Sequence, residues 1–322
     1  MPALATLYEP IADELRRVCR VFDDELFSDL PFVNELCARV RQYRGKMLRP
    51  ALLLLAGRAC GQVREEHVTL AAVVELVHMA TLVHDDVLDE ADVRRNGATI
   101  NRLEGNEAAV LLGDYLISHA FHLCSSLDSQ YASRLIGATT NTVCEGELLQ
   151  VHRRGDDGLT TEQYLAIITR KTAALTGACC RLGAHYAGAD ANTVEALERY
   201  GLDVGIAFQI TDDVLDIVGA EERMGKTLGR DLDKHKLTLP VIHGLRTAAP
   251  AARQRLRDYL AEEHPLRERL AELLEPTDSI GYALESARAY VESAVEALRV
   301  LPPSDARESL TRMARLILER EQ

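Results

Sequence analysis

The sequence predicts an all-α protein, a single large helical bundle, from three observations. No proline occurs between Pro50 and Pro240. A strand-rich domain would need proline or glycine turns in so long a span, whereas long helices exclude proline. Apolar residues recur through that span at helical spacing, and it is rich in Ala, Leu and Glu, which are good helix formers.

The periodic segments give the candidate helices in chain order. They are Leu7–Leu26, Phe32–Tyr43, Arg49–Arg58, Glu66–Asp89, Asn106–Ser125, Arg134–Gln150, Glu162–Gly183, Thr193–Val218, Ala251–Ala261, Leu266–Leu274, Ser279–Leu301 and Ser304–Glu321. Glycines at 97, 105, 158 and 188 mark turns or caps between them. Because no low-complexity linker interrupts the chain, residues 1–322 are predicted to form one domain.

Composition excludes several classes of protein. The net charge of −13 and the absence of Trp argue against a nucleic-acid partner, which needs basic patches and stacking aromatics. The seven cysteines form no C-x-x-C pair, as expected of free thiols in a reducing compartment. The N-terminus lacks the pattern of a signal peptide, and no apolar stretch looks long enough to cross a bilayer. We therefore expect a cytoplasmic protein.

Two copies of the pattern Asp-Asp-x-x-Asp indicate a metal-dependent function. The first copy holds Asp85, Asp86 and Asp89. The second holds Asp212, Asp213 and Asp216. Both lie in apolar runs, where ionised carboxylates are costly unless something compensates them. On a helix the first and last carboxylates point the same way, and such a cluster suits magnesium together with substrate phosphates.

Helical spacing attaches further residues to these carboxylates. His78 and Thr81 share a stripe with Asp85 and Asp89, so His78 could donate to a phosphate or be an ordinary core histidine. Gln209 lies one turn before the second motif, where it could bind substrate or simply face solvent. Lysines and arginines near the motifs could neutralise an anion, although each alone would be read as a surface charge. They are Lys46, Arg49, Arg94, Arg95, Lys171, Lys226 and Lys236.

The order of these motifs resembles the trans-prenyltransferases, the (E)-polyprenyl diphosphate synthases, over roughly the whole chain. The resemblance rests on Gly45–Pro50, His78, the stretch from His84 to Arg95, Gly113-Asp114-Tyr115, Glu145-Gly146-Glu147, Lys171-Thr172, Phe208–Asp213, Gly225-Lys226 and Lys236–Pro240. It implies an all-helical bundle around a deep central cavity and a homodimer. It also implies head-to-tail addition of isopentenyl diphosphate to an allylic diphosphate, whose product could partition to a membrane.

The resemblance also implies roles for the matching residues. Asp85, Asp86 and Asp89, with Asp212, Asp213 and Asp216, would bind magnesium ions, three with substrate present. The allylic diphosphate would contact Arg94, Lys171, Thr172, Gln209, Lys226 and Lys236. Isopentenyl diphosphate would bind Lys46, Arg49, His78 and Arg95. The family often has Arg-Arg-Gly where this chain has Arg95-Asn96-Gly97, a change that alters the loop after Arg95 without moving either arginine. It also often has two glycines before the lysine, where this chain has Arg44-Gly45.

Small residues before the first motif predict a long product. Ala80 and Thr81 lie five and four positions before Asp85, where bulky aromatics would close a pocket early. A floor could lie lower, among Tyr115, Ser118, His119, His122 and Leu123. We expect six or more isoprene units, heptaprenyl or octaprenyl. The alternatives are a medium-chain (geranylgeranyl or farnesylgeranyl) synthase, a terpene cyclase and a non-catalytic synthase subunit; retained cations and both motifs disfavour the last two.

Thr81→Phe is expected to shorten the product, because a benzyl side chain would fill the space that the growing chain enters. Product length is read by mass spectrometry after incubation with isopentenyl diphosphate and an allylic starter. Thr81→Ser, which adds no volume, is the control. An unchanged product length in the Phe variant would contradict the pocket hypothesis.

Overall fold

The computed structural model describes residues 6–94, 97–219, 228–262 and 265–321, and these are almost wholly helical. The helices are α1 (Ala12–Glu25), α2 (Pro31–Tyr43), α3 (Leu48–Ala59), α4 (Glu65–Leu88), α5 (Ile100–Ser125), α6 (Gln130–His152), α7 (Thr161–Ile168), α8 (Ala174–Tyr186), α9 (Ala191–Val218), α10 (Arg230–Asp233), α11 (Leu239–Thr247), α12 (Pro250–Leu260), α13 (Arg267–Leu274), α14 (Ser279–Ala297) and α15 (Asp305–Arg315). The predicted all-α class is confirmed.

Short irregular elements join the helices. A π-helical turn, Thr169–Ala173, connects α7 to α8. A two-stranded antiparallel ribbon follows α4, with β1 (Val93–Arg94) paired to β2 (Gly97–Ala98). Turns of 3₁₀ helix occur at Glu9–Ile11, Glu275–Thr277, Leu298–Val300 and Leu318–Glu321. The ribbon, the π turn, α10 and α11 were not predicted from the sequence.

The chain divides into two compact units. Unit 1 comprises Met1–Thr140, Leu175–Gly201 and Ala297–Met313. Unit 2 comprises Asn141–Ala174, Leu202–Glu296 and Ala314–Gln322. Since each unit draws on several stretches of chain, neither is a simple sequence domain. The single domain expected from the sequence stays a prediction.

The core of unit 1 is built on α4, which packs against α1, α3 and α5. Leu70, Leu76 and Met79 on α4 are fully buried. This helix is long and apolar enough to cross a membrane, with a mean hydropathy of 1.4 over 18 residues, but 72% of that window is buried. The expectation that no stretch has that length was wrong, and the burial explains the apolarity as that of a core helix.

Two positions in unit 1 require glycine. At Gly105 α5 has φ of 86°, a left-handed value that separates its first turn from the rest. Residues 106–125 then continue as the predicted helix. At Gly183 on α8, a Cβ atom would lie 2.2 Å from the Leu53 carbonyl oxygen of α3, so glycine lets these two backbones touch.

Unit 2 has two apolar cores that share α9 and α11. Ile206, Ile210 and Val214 on α9 pack in the first core, with residues of α7, α11 and α14. Ile217 of α9 packs in the second, with residues of α10 to α13. The apolar face of α9 thus fixes the helix that carries the second acidic motif.

Gly183→Ala is expected to lower the free energy of unfolding by about 1–3 kcal/mol or more, because the added methyl forces two backbones apart. The measurement is thermal or chemical unfolding. Gly137→Ala is the matched control, since a Cβ there meets nothing within 4 Å and helix propensity favours alanine by about 1 kcal/mol. Equal effects of the two substitutions would contradict the close approach of α3 and α8.

Candidate active site

The first acidic motif occupies the last turn of α4. Asp85 and Asp89 are partly exposed, whereas Asp86 is 1% exposed. The Asp89 amide donates to the Asp85 carbonyl at 2.8 Å, so the helical turn continues through Asp89 and keeps these two residues one turn apart. The structure therefore presents two oxygen-donor side chains from one turn of unit 1.

The middle carboxylate, Asp86, is bound within the protein. Its Oδ1 accepts from Arg94 Nε at 2.7 Å and lies 2.6 Å from Arg94 Nη2, while its Oδ2 accepts from the Tyr43 hydroxyl at 3.0 Å. Burial alone would lower the pKa of Arg94, but the hydrogen bond and charge of Asp86 raise it. Both Asp86 oxygens are thus used, which favours a positioning role over the metal ligation that the resemblance implied.

The second motif repeats this arrangement in unit 2. Asp212 is partly exposed and Asp213 is 4% exposed. The Tyr164 hydroxyl donates to Asp213 Oδ2 at 2.6 Å, and Gln209 Nε2 donates to Asp213 Oδ1 at 2.8 Å. In each motif, then, a tyrosine from another helix holds the buried second carboxylate.

Burial makes ionisation of the second motif costly. Burial raises the pKa of Asp213 well above its usual value, and the nearby charge of Asp231 raises it further. Burial and then Asp213 raise the pKa of Tyr164, so its hydroxyl remains a donor. An ionised Asp213 at neutral pH is therefore costly unless positive charge lies near it.

The third carboxylate of this motif, Asp216, binds the backbone of α10. Asp216 is 4% exposed, and its Oδ2 accepts from the Asp231 amide at 3.1 Å. Lys236 Nζ lies 4.0 Å from the Asp231 carboxylate. A cavity of about 280 Å³ opens beside Asp213, Asp216, Asp231 and Lys236. Acidic and basic groups thus line one cavity within unit 2.

The π turn before α8 positions two predicted substrate contacts. Lys171 Nζ lies 2.5 Å from Glu147 Oε2 on α6. The Thr172 hydroxyl donates to Gln209 Oε1 at 2.8 Å, which extends the network from Asp213. π-helical turns recur at functional sites because they shift side chains out of the regular helical register.

Three residues predicted to bind isopentenyl diphosphate lie in unit 1, namely Lys46, Arg49 and His78. Lys46 is exposed, and its carbonyl accepts from the Tyr8 hydroxyl at 2.8 Å. Arg49 is in the first turn of α3, which begins at Leu48, one residue before the predicted start. Its Nε is buried without a hydrogen-bond partner in the described chain, and burial lowers its pKa while Glu75 opposes the shift. Arg49 is thus a partly buried cation whose Nε is a buried, unused donor.

Other predicted residues have less defined places. His78 is partly exposed on α4, about two turns before the first motif. Arg95 and Lys226 lie outside the described residues.

The predicted chain-length residues lie on α4 and α5 and differ in their exposure and contacts. Ala80 is fully buried on α4, and the Thr81 hydroxyl donates to the His78 carbonyl at 2.8 Å. On α5 Ser118 is exposed, and Tyr115 and Leu123 are partly buried. His119 and His122 both contact Glu25. Their shared contact with Glu25 is not explained by the predicted role as the floor of a pocket.

Sequence reasoning missed the residues that hold the motifs in place. Tyr43, Tyr164 and Asp231 contact motif residues but belong to no motif themselves. Their partners are 43, 49 and 15 positions away in the chain, so no local pattern links them. The contact of Glu147 could have been predicted, because Glu147 lies in the Glu145-Gly146-Glu147 motif and its charge complements that of Lys171.

Paired carboxylate clusters with flanking cations on a helical scaffold are typical of proteins that bind a diphosphate together with a divalent metal. The sequence matches the polyprenyl synthetase family over residues 31–276. The chain belongs to this family, whose members are prenyltransferases.

Relatives of known name cover the full length. The octaprenyl diphosphate synthase of Escherichia coli (strain K12) is 35% identical over 99% of both chains. Two crystal structures are also similar. The polyprenyl synthase of Caulobacter crescentus CB15, complexed with calcium and isoprenyl diphosphate, has a TM-score of 0.94 at 33% identity and covers 99% of this chain and 98% of its own. A decaprenyl diphosphate synthase of Rhodobacter capsulatus has a TM-score of 0.93 at 33% identity over 99% of both chains.

Tyr164→Phe is expected to lower kcat/KM by roughly 10–100-fold, because a buried carboxylate that loses a partner costs about 1–3 kcal/mol. Steady-state kinetics with varied magnesium gives the measurement. Tyr282→Phe, at an exposed tyrosine of unit 2, is the matched control. Wild-type kinetics for Tyr164→Phe would show that the hydroxyl does not position Asp213 for the reaction.

Proposed function

We propose that this enzyme condenses isopentenyl diphosphate head-to-tail onto an allylic diphosphate and makes a long-chain all-trans polyprenyl diphosphate. The main observation is common to both acidic motifs. The first carboxylate is partly exposed, and the next residue is a buried aspartate that accepts a hydrogen bond from a tyrosine. Full-length similarity to an octaprenyl diphosphate synthase supports the long product. Heptaprenyl or octaprenyl diphosphate is the proposed product.

The carboxylates fit magnesium as its cofactor. Hard divalent cations prefer oxygen ligands, and Asp85, Asp89 and Asp212 offer partly exposed oxygens. The raised pKa of Asp213 is a second sign that positive charge belongs beside the second motif. Bound magnesium ions, three with substrate present, would neutralise the charge that develops on a leaving diphosphate.

Residues of unit 1 are proposed to bind isopentenyl diphosphate. The buried, unused Nε of Arg49 favours an anionic ligand, because a buried cationic donor without a partner is costly. Lys46, exposed in the loop before α3, and Arg95 would add charge, and His78 would donate a hydrogen bond. Fixing this diphosphate would place the double bond for attack and so lower the entropic part of the barrier.

Residues of unit 2 are proposed to assist departure of the allylic diphosphate. Lys171, Lys226 and Lys236 would balance its charge, a role that the resemblance also implies for Arg94. Arginine has five N–H donors, so Arg94 retains donors beyond its pair with Asp86. The Thr172 hydroxyl and the Gln209 carbonyl, already joined at 2.8 Å, would steady the allylic cation. Proton loss to the released diphosphate would then give a new allylic product that reacts again.

Product length and assembly complete the proposal. Ala80 and Thr81 leave room for a long chain, as argued from the sequence. The homodimer is supported by four large apolar side chains of α5 that are exposed in the single chain, Leu103, Val110, Leu111 and Phe121. We propose a cytoplasmic location, since α4 is a core helix.

Asp85→Ala is expected to lower kcat by roughly 100-fold or more, because it removes a group that stabilises charge in the transition state. Each allylic starter is incubated with magnesium and isopentenyl diphosphate, and products are identified by mass spectrometry. Asp128→Ala, an exposed aspartate outside both motifs, is the control.

The products decide between the alternatives. Heptaprenyl or octaprenyl diphosphate supports the proposal. A geranylgeranyl or farnesylgeranyl product would replace the long-chain assignment by a medium-chain one. A cyclised hydrocarbon, or no consumption of isopentenyl diphosphate, would overturn the function.

A further inference from the structure

Two histidines and a glutamate meet at the end of α1. Glu25, the last residue of α1, places Oε1 2.9 Å from His119 Nδ1 and 2.9 Å from His122 Nδ1. The two histidines are three positions apart on α5, so they lie on one face of that helix. All three ligand atoms lie within 4.8 Å of one another. Each of these residues belongs to unit 1.

This donor set suits a transition metal rather than magnesium. Imidazole nitrogen with one carboxylate oxygen is a common ligand set for Zn²⁺, whereas Mg²⁺ prefers oxygen ligands alone. Zn²⁺ binds these atoms at about 2.0–2.2 Å, which puts neighbouring ligand atoms of a tetrahedral site roughly 3.3 Å apart. The observed 2.9 Å separations need to open by only a few tenths of an ångström to admit an ion.

One side of the site is packed against the protein, and the other side is open to solvent. The side chains of Glu25 and His119 are 15% and 23% exposed, and the Tyr115 ring packs against that of His119 with centroids 4.3 Å apart. The His122 side chain is 77% exposed. An ion could therefore enter beside His122, and its remaining coordination position would face solvent.

We propose that Glu25, His119 and His122 form a site for a divalent transition metal such as Zn²⁺. The site shares no residue with the acidic motifs and does not depend on the proposed reaction. An ion there links the end of α1 to α5, which carries Tyr115 and Leu123. Because it binds the folded chain only, it raises the unfolding temperature, and the rise grows with the logarithm of the ion concentration once that concentration exceeds Kd.

The first test is calorimetric titration with Zn²⁺ in excess Mg²⁺, which keeps the acidic motifs occupied. Wild type is expected to bind one Zn²⁺ per chain at this site, and His122→Ala is expected to bind it at least roughly tenfold more weakly. His152→Ala, at an exposed histidine of α6, is the matched control. Because His122 is exposed, its truncation leaves the fold intact, and Glu25→Gln tests the third ligand without changing its size.

Two further readouts identify the ligands. Zinc X-ray absorption is expected to show two imidazoles in wild type and in His152→Ala, and fewer in His122→Ala. Added Zn²⁺ is expected to raise the unfolding temperature of wild type and not of His122→Ala. Equal Zn²⁺ affinity for wild type and His122→Ala, or a wild-type absorption spectrum without imidazole, would overturn the proposal and leave a hydrogen-bonded triad.

Discussion

The structure depends on how a buried helix tolerates acidic residues. Asp86 and Asp213 are almost fully buried, and an unpaired carboxylate in such a place costs several kcal/mol. Tyr43 and Tyr164 resolve this in the same way, each by donating its hydroxyl to the second carboxylate of a motif. The fixed second residue then determines where the first carboxylate points. The proposed metal ligands and the residues that support them are therefore consecutive in the chain.

The two motifs differ in their third residue. Asp89 is the C-cap of α4 and is partly exposed, whereas Asp216 is buried and accepts from the backbone amide of Asp231. The first motif thus presents two partly exposed carboxylates. The second presents Asp212 and uses Asp213 and Asp216 to hold α7 and the chain before α10. Repeated sequence therefore does not mean repeated chemistry, since the residues packed against each helix differ.

Much of the fold was predictable because helical periodicity is local. The predicted start and end of α2 and of α4 lie within one residue of those observed. The ribbon that carries Arg94 was not predictable, because each of its strands has only two residues. The π turn at Lys171 breaks the 3.6-residue period by one position, which no composition signal reveals. For the site, the cations and first carboxylates lie in recognisable motifs, but Tyr43 and Tyr164 act across 43 and 49 positions.

Glycines explain why some motif residues with no proposed chemical role accompany the reactive ones. A Cβ at Gly146, between Glu145 and Glu147, would lie 2.5 Å from the Lys171 backbone nitrogen. Only glycine lets α6 approach the π turn closely enough for Glu147 to reach Lys171. Gly113 likewise permits a close contact, because the ring of His84 occupies the space that a Cβ at position 113 would fill. The Nε2 of His84 lies 3.0 Å from the Val110 carbonyl oxygen. His84 immediately precedes Asp85, so this packing fixes the last turns of α4. Both glycines therefore permit a close contact beside a motif, and larger residues there would displace the motif without removing any of its polar groups.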